Sequence, residues 1–420
     1  MQDRQIFLRR LFERAVAAAD PMRTLAACLP PRPAGRLVVI GAGKASARMA
    51  EAVEAVLGPC EGLVITRHGH ARPCRGIEIV EAGHPVPDRA GEEATARMLD
   101  LVSGLGADDM VLALISGGAS ALLVQPAGEV TLAEKQAVTE ALLASGAPIA
   151  QINTVRKHLS RVKGGQLAAR AFPARMYTLM ISDVPGDDPA LIGYGPTVGD
   201  ASTPDDARAI LAAHGIAIPA SVAAVLAGPK HVLEPDDERL ARVTNVIVAA
   251  PAQSLAAAAQ MARGEGCAVR ILGDAIEGEA REVAHQHAQM ALALQAGMKA
   301  GEAPLVLLSG GELTVRRTGN GIGGPNAEYA LALALALGGG RGIHAIACDT
   351  DGVDGAAEVA GATVTPETLA RGGDAAAALG ANDAHRFFAR AGGQVITGPT
   401  LTNVNDFRAI LIEPIGTAGA

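Results

Sequence analysis

The chain has no tryptophan and few aromatic residues of any kind, 2% of its 420 residues. Its cores must be assembled from Ala, Val, Leu and Ile, a palette that suits helices packed on parallel strands. Cysteine is scarce as well. The five, at positions 28, 60, 74, 267 and 348, are odd in number and have no C-x-x-C spacing. That excludes a disulfide framework and a cysteine-based zinc site, and it points to free thiols in a reducing cytoplasm. No uncharged apolar run reaches the ~20 residues that cross a bilayer, so no membrane role is expected. The first residues carry Arg, Asp and Glu throughout and lack the apolar run of a signal peptide. An excess of positive charge is also missing. A net charge of −8 gives no electrostatic footprint for nucleic acid. A small anionic ligand would need a local basic pocket.

Glycine (50 residues) and apolar residues (49%) are abundant. The length exceeds one ordinary domain, so two are expected. Phe7, Leu8, Leu11, Phe12 and Ala15 recur at helical spacing, which predicts a helix over about 5–19. The apolar run Leu37 to Ile40 predicts a buried strand, broken by Gly41 and Gly43 and followed by a helix over about 45–57. Further strands are expected near 63–66, 77–80, 110–115 and 177–181, with helices near 89–102 and 131–144 and a basic helical stretch over 152–165. This alternation implies βαβ units and a mainly parallel sheet. The polar, turn-rich segment 228–243 suggests a change of domain, giving units 1–235 and 236–420. The second half alternates again, with strands near 244–249, 268–272, 304–309, 343–348 and 408–412. Leu331 to Leu337 alternates Leu with Ala but reads as helix. Those are the best helix formers, and Pro325 fits a first helical position.

The two halves echo each other. Leu112-Ala-Leu-Ile-Ser-Gly-Gly118 and Leu305-Val-Leu-Leu-Ser-Gly-Gly311 both end an apolar strand in Ser-Gly-Gly. Glycine turns at the carboxyl ends of strands in both halves suggest a ligand cleft. The stretch Gly41-Ala-Gly-Lys44 opens a helix and reads as an anion cradle, with Lys44 adding a full charge. It lacks the first glycine of a Walker A loop and matches a dinucleotide fingerprint only as G-x-G-x-x-S. Acids stand just after strands: Asp183, Glu312, and Asp349, Asp351 and Asp354. Such positions hold divalent metal or activate a hydroxyl, although Asx-turns are the ordinary alternative. An EF-hand is excluded because Ala360 stands where its last ligand would be. Lys44, Arg156, Lys157, His158, Arg161 and Lys163 are candidates for an anion pocket, the alternative for the 156–163 run being a solvated helix face. The His68/His70 and His285/His287 pairs do not share a helix face, whereas His84 lies in a constrained Gly-His-Pro loop. Asn320 and the Gly321, Gly323, Gly324 run form a second candidate phosphate loop.

Together these motifs resemble the class II glycerate kinases, also called the glycerate 2-kinase or MOFRL family. The matching pieces include Gly41-Ala-Gly-Lys-Ala-Ser46, Gly83-His-Pro-Val-Pro-Asp88, Ser116-Gly-Gly-Ala-Ser120, Asn153-Thr-Val-Arg-Lys-His158, Ser182-Asp-Val-Pro-Gly-Asp187, Ser309-Gly-Gly-Glu312, Thr350-Asp-Gly-Val-Asp-Gly355 and Thr402-Asn-Val-Asn-Asp406. The resemblance implies an α/β protein: a Rossmann-like, mainly parallel domain and a smaller α/β domain, with the active site between them. It implies a kinase that uses ATP and Mg²⁺ on the 2-hydroxyl of D-glycerate. Glycerate and nucleotide are then the partners of a cytoplasmic monomer or homodimer. In that frame Lys44 and Asp183 are catalytic. His84, Ser116, Gly117, Gly118, Ser120, Arg156 and Lys157 bind substrate. Gly41, Gly43, Gly310, Gly311, Asn320, Gly323, Asn326 and Asn405 bind nucleotide, and Glu312, Asp351 and Asp354 hold Mg²⁺. Pro325 is a departure, standing where many members carry an Arg. A nicotinamide-dependent hydroxypyruvate reductase is the alternative, with Glu61 as the nearest ribose-binding acid. A small-anion sensor is a third reading.

Overall fold

The computed structural model describes residues 3–355 and 357–415. The chain forms two compact units. The first comprises Pro21–Ser182 and Asp187–Val248; the second comprises Met1–Asp20, Asp183–Gly186 and Ala249–Ala420. The amphipathic helix α1 (Arg4–Ala18) starts at Asp3, whose side chain accepts from Gln5 N. Its apolar stripe lies in the core of the second unit, among Leu255, Ala258, Phe407 and Ala409.

The first unit is built on one sheet. Its strands and main helices are β1 (Leu37–Ala42), α2 (Ser46–Leu57), β2 (Glu61–Arg67), β3 (Ile77–Ala82), α3 (Arg89–Leu101), β4 (Met110–Ile115), α4 (Leu132–Ala144), α5 (Ile149–His158), β5 (Arg175–Ile181) and β6 (Val243–Ala249). The strand order is β3-β2-β1-β4-β5-β6, and the pairs β2–β3, β1–β2, β1–β4 and β4–β5 run parallel. Every residue of β4 is buried, as expected of a strand covered on both faces. The strand near 244–249, placed by sequence at the head of the second half, is instead the sixth strand of this sheet. The polar stretch before it is an internal connection. Turn-rich composition marks a surface loop equally well inside a domain and between domains. The chain leaves the first unit after Val248, not near 235.

The second unit holds α6 (Pro251–Gly264), β7 (Ala268–Gly273), α7 (Ala280–Gly297), β8 (Leu305–Gly311), α8 (Pro325–Leu337), β9 (Ile343–Asp349), β10 (Gly361–Val364), α9 (Ala384–Ala391), β11 (Gln394–Val395) and β12 (Asp406–Ile412). Its sheet runs β11-β10-β9-β12-β8-β7. Only the β7–β8 pair is parallel; the other pairs are antiparallel. The Leu/Ala stretch is helical, with Pro325 in the first turn and Gly338 closing it in the left-handed conformation. Leu331 to Ala334 are all buried, so this helix is apolar all round rather than on one stripe. That explains why its sequence lacks a helical period. No helix among the described residues is long and apolar enough to cross a membrane.

Candidate functional site

In the first sheet the order reverses between β1 and β4, and ligands of open α/β sheets sit at such a switch point. The loops that follow these two strands interlock there. Gly43 has φ +141°, and a Cβ on it would lie 2.1 Å from Ser116 Oγ. Ser116 Oγ accepts from Ala45 N at 3.0 Å, and Lys44 N donates to Gly117 O at 2.8 Å. Ser46, at the third position of the glycine fingerprint, donates its hydroxyl to Leu114 O. Gly43 N donates to Ile65 O and Ser46 N to Gly43 O. This corrects the expectation of a backbone cradle at Gly41 and Gly43. The amides from Gly43 to Ser46 already have acceptors inside the protein, and the glycines serve the close approach of two loops. The amides of Gly117 and Gly118 are different, for they donate to no described residue. A Cβ on Gly118 would lie 3.1 Å from both the His84 ring and Lys44 Cγ. Lys44, His84 and the Gly117-Gly118 turn therefore share one place. His70 Nδ1 lies 3.2 Å from Lys44 O and so steadies that loop, while His68 faces Asp88.

Ser120 and Arg156 line a cavity of about 220 Å³ together with Pro85, Lys135, Lys163 and Tyr194. The Arg156 guanidinium lies 5.0 Å from the Tyr194 ring centre and donates to its hydroxyl. Lys157 does not join it. Consecutive residues on a helix face different ways, and Lys157 is buried against Asp200. Burial pushes the Asp200 carboxyl up, but Lys157 and Ser202 outweigh it and bring it to about 2. Lys157, expected to bind substrate, is held in a buried ion pair with Asp200 away from this cavity. The rest of the basic run divides too. His158 meets Ser202, and Arg161 lines a separate cavity with Arg170 and Arg239. Lys135 and Tyr194 were missed by sequence reasoning, since neither sits in a motif.

In the second unit the register sets Gly311 of β8 and Asp349 of β9 on either side of Asp406, the first residue of β12. Glu312 and the Asp349–Asp351 turn follow directly, so acids from three strands meet at one end of the sheet. Asp183 belongs to this unit. Asn403 Nδ2 donates to its Oδ2 at 3.1 Å, and Asn405 Nδ2 to its carbonyl at 3.0 Å. Behind them Arg408, 1% exposed, donates to Gly310 O at 2.6 Å and Gly311 O at 3.1 Å and pairs with Asp406 at 3.1 Å. Ser309-Gly-Gly311 is thus strand and not the glycine turn expected from the echo. Burial pushes the Asp406 carboxyl up to about 6, with Asp354 and Glu312 adding to the rise and Arg408 and Asn326 opposing it.

Asp354 accepts from the amides of Asn326 (2.9 Å) and Ala327 (2.8 Å) and meets His385 Nε2 at 3.1 Å. It caps α8, where an anion suits the helix dipole. Asn326 Nδ2 in turn reaches Asp406 Oδ1 at 2.6 Å. Among the described residues no three His, Cys, Asp or Glu side chains stand where they would hold a metal. Of the acids expected to hold Mg²⁺, Asp354 is engaged by the start of α8. Asn320 and Gly323 line a cavity of about 440 Å³ beside Pro325. Asn403, Asp406 and Arg408 are site residues that the motifs do not single out; the Asn403-Val-Asn-Asp406 run is the signal for the first two, and Arg408 lies beyond it.

The first unit is thus an α/β sheet that gathers a lysine, a histidine and two glycine amides at its switch point. Residues 7–227 match the model described as domain of unknown function (DUF4147), and residues 305–406 match the MOFRL family. The chain is 52% identical over 415 residues to an Agrobacterium vitis protein named, provisionally, as a hydroxypyruvate reductase, covering 96% of this chain and 94% of that one. It is 40% identical over 405 residues to the D-glycerate 2-kinase of Thermotoga maritima, covering 94% and 95%. The crystal structure of a Thermotoga maritima glycerate kinase superposes with a TM-score of 0.87 at 38% identity, covering 97% of this chain and 99% of that one. The chain belongs to the glycerate 2-kinase, or MOFRL, family.

Proposed function

We propose that the chain is a kinase that moves the γ-phosphoryl group of ATP to the 2-hydroxyl of D-glycerate, giving 2-phosphoglycerate and ADP. The meeting of Lys44, His84 and the Gly117-Gly118 amides at the switch point carries this reading. Similarity over nearly the full length to an enzyme named D-glycerate 2-kinase supports it. Phosphoryl transfer asks a protein for positioning and charge stabilisation more than for covalent chemistry. Lys44 supplies positive charge to the group in flight, with the two amides as donors to its oxygens. Asp183, oriented by Asn403 and Asn405, accepts the proton of the attacking hydroxyl. His84 and Ser120 orient the acid.

The donor chemistry at the acidic sheet end fits Mg²⁺. Glu312, Asp349, Asp351 and Asp406 stand together at that sheet end, and Mg²⁺ takes one or two carboxylates plus phosphate oxygens rather than a protein cage. Glu312 and Asp351 are the residues that would hold it. The ion supplies neutralisation of phosphate charge when bound. Incubation with D-glycerate, ATP and Mg²⁺, beside hydroxypyruvate with NADH or NADPH, tests the reading. The expected product is 2-phosphoglycerate with ADP, identified by NMR. Cofactor oxidation without ADP would replace it with the reductase reading suggested by the name of the Agrobacterium vitis relative.

A further inference from the structure

The cavity behind the Gly117-Gly118 turn gathers cations that the reading above leaves unused. Its wall is largely apolar, with Pro85, Leu123, Val124 and Leu143, yet Lys135, Arg156 and Lys163 all open into it. Lys163 is 3% exposed and donates to Ala119 O and Gly193 O, each at 2.9 Å. Lys135 donates to Arg156 O at 3.2 Å and Leu159 O at 2.6 Å. An ammonium has three donors. Each lysine is therefore anchored on two carbonyls and keeps one N–H. None of the three cations forms an ion pair with a described carboxylate, and Glu140, the acid in the lining, is exposed. Positive charge gathered in an apolar pocket without a counter-charge is unfavourable. Burial accordingly pulls the Lys135 ammonium down to about 7 and Lys163 well below an ordinary lysine.

We propose that this cavity seats the carboxylate of the acid that is phosphorylated, with Lys135 and Lys163 as binding residues beside Arg156. The proposal rests on the kinase reading. Ser120 lines the cavity two residues beyond Gly118, which lies against Lys44 and His84. The carboxylate seat and the phosphoryl-handling residues are thus neighbours on one loop.

Calorimetric titration of D-glycerate, with ADP present, tests it on the wild type, Lys135→Met, Lys163→Met and Leu143→Glu. The Met variants are expected to weaken glycerate binding about 10- to 100-fold, the loss of a charged hydrogen bond, and to leave ATP affinity unchanged. Leu143 is 56% exposed. Its replacement by Glu breaks no buried bond, so the fold is kept, and it offers the cations an internal carboxylate that competes with glycerate. Wild-type titrations in two buffers of different ionisation enthalpy are expected to show proton uptake above the Lys135 value, because the anion favours the charged lysine. Affinity falls as pH rises through that value. A merely structural lysine gives no such uptake. Unchanged glycerate affinity in Leu143→Glu and both Met variants, with phosphorylation intact, overturns the seat and leaves the kinase standing. Glycerate binding with proton uptake but no phosphorylation supports the seat and overturns the kinase.

Discussion

Both units contain the sequence Leu-x-Leu-x-Ser-Gly-Gly, and it does two different things. In the first unit the strand stops at Ile115. Ser116 turns back to hold the Gly43 loop, and the two glycines leave their amides free. In the second unit the strand runs on through Gly311, because an antiparallel neighbour, β12, continues to pair with it. There Arg408 takes up the glycine carbonyls. Neighbouring strand direction decides the outcome. A parallel neighbour such as β1 ends level with β4 and leaves its loop unpaired, whereas an antiparallel partner begins where the strand ends and keeps pairing it. The same local motif is therefore a loop between parallel neighbours in one unit and part of a strand beside an antiparallel one in the other.

The comparison can be broken or sharpened by substitution. The largest effect is expected at Arg408→Met. Removing one partner of a buried pair costs about 3–5 kcal/mol, so chemical denaturation of the second unit should shift by that amount. A shift under about 1 kcal/mol would show that the second Ser-Gly-Gly does not depend on its arginine. Lys44→Ala should lower kcat by about 10²–10³ with the fold unchanged, the usual loss for one charge-stabilising group. A near wild-type kcat would remove the first loop from the chemistry. Ser116→Ala leaves the buried Ala45 amide without its acceptor. It should cost about 1–3 kcal/mol, read by thermal or denaturant unfolding. Ser309→Ala should cost the least, under about 1 kcal/mol, because its hydroxyl reaches Arg408 only at 3.4 Å. Equal losses at the two serines would erase the distinction between turn and strand.

Much of this was legible beforehand for physical reasons. Parallel strands buried on both faces announce themselves as apolar runs, so the order of elements from β1 to β5 could be read directly. The assignment of β6 and the antiparallel pairs of the second sheet could not, since pairing direction leaves no mark on a single strand. In the candidate site, Lys44, His84 and the Ser116–Ser120 turn stood out by motif and the structure brings them together. Arg156 and Lys157 looked equivalent because helix phase was unknown, and one faces a cavity while the other is buried against Asp200. Lys135 was invisible. A single lysine on a helix reads as solvent-facing until the end of the neighbouring helix takes up its ammonium.

The amphipathic helix at the start of the chain has a consequence for how the protein is made. Ala15 O accepts from Ser254 Oγ, 239 residues later, and Phe12 packs against Phe407. During synthesis, which proceeds from the N-terminus, this helix emerges before the residues it packs against, and its apolar stripe stays uncovered until Phe407 has been made. The first unit can complete its sheet in the interval. Contacts so far apart in sequence are slow to form, so docking of the first helix is expected to be the late, rate-setting event in assembling the second unit.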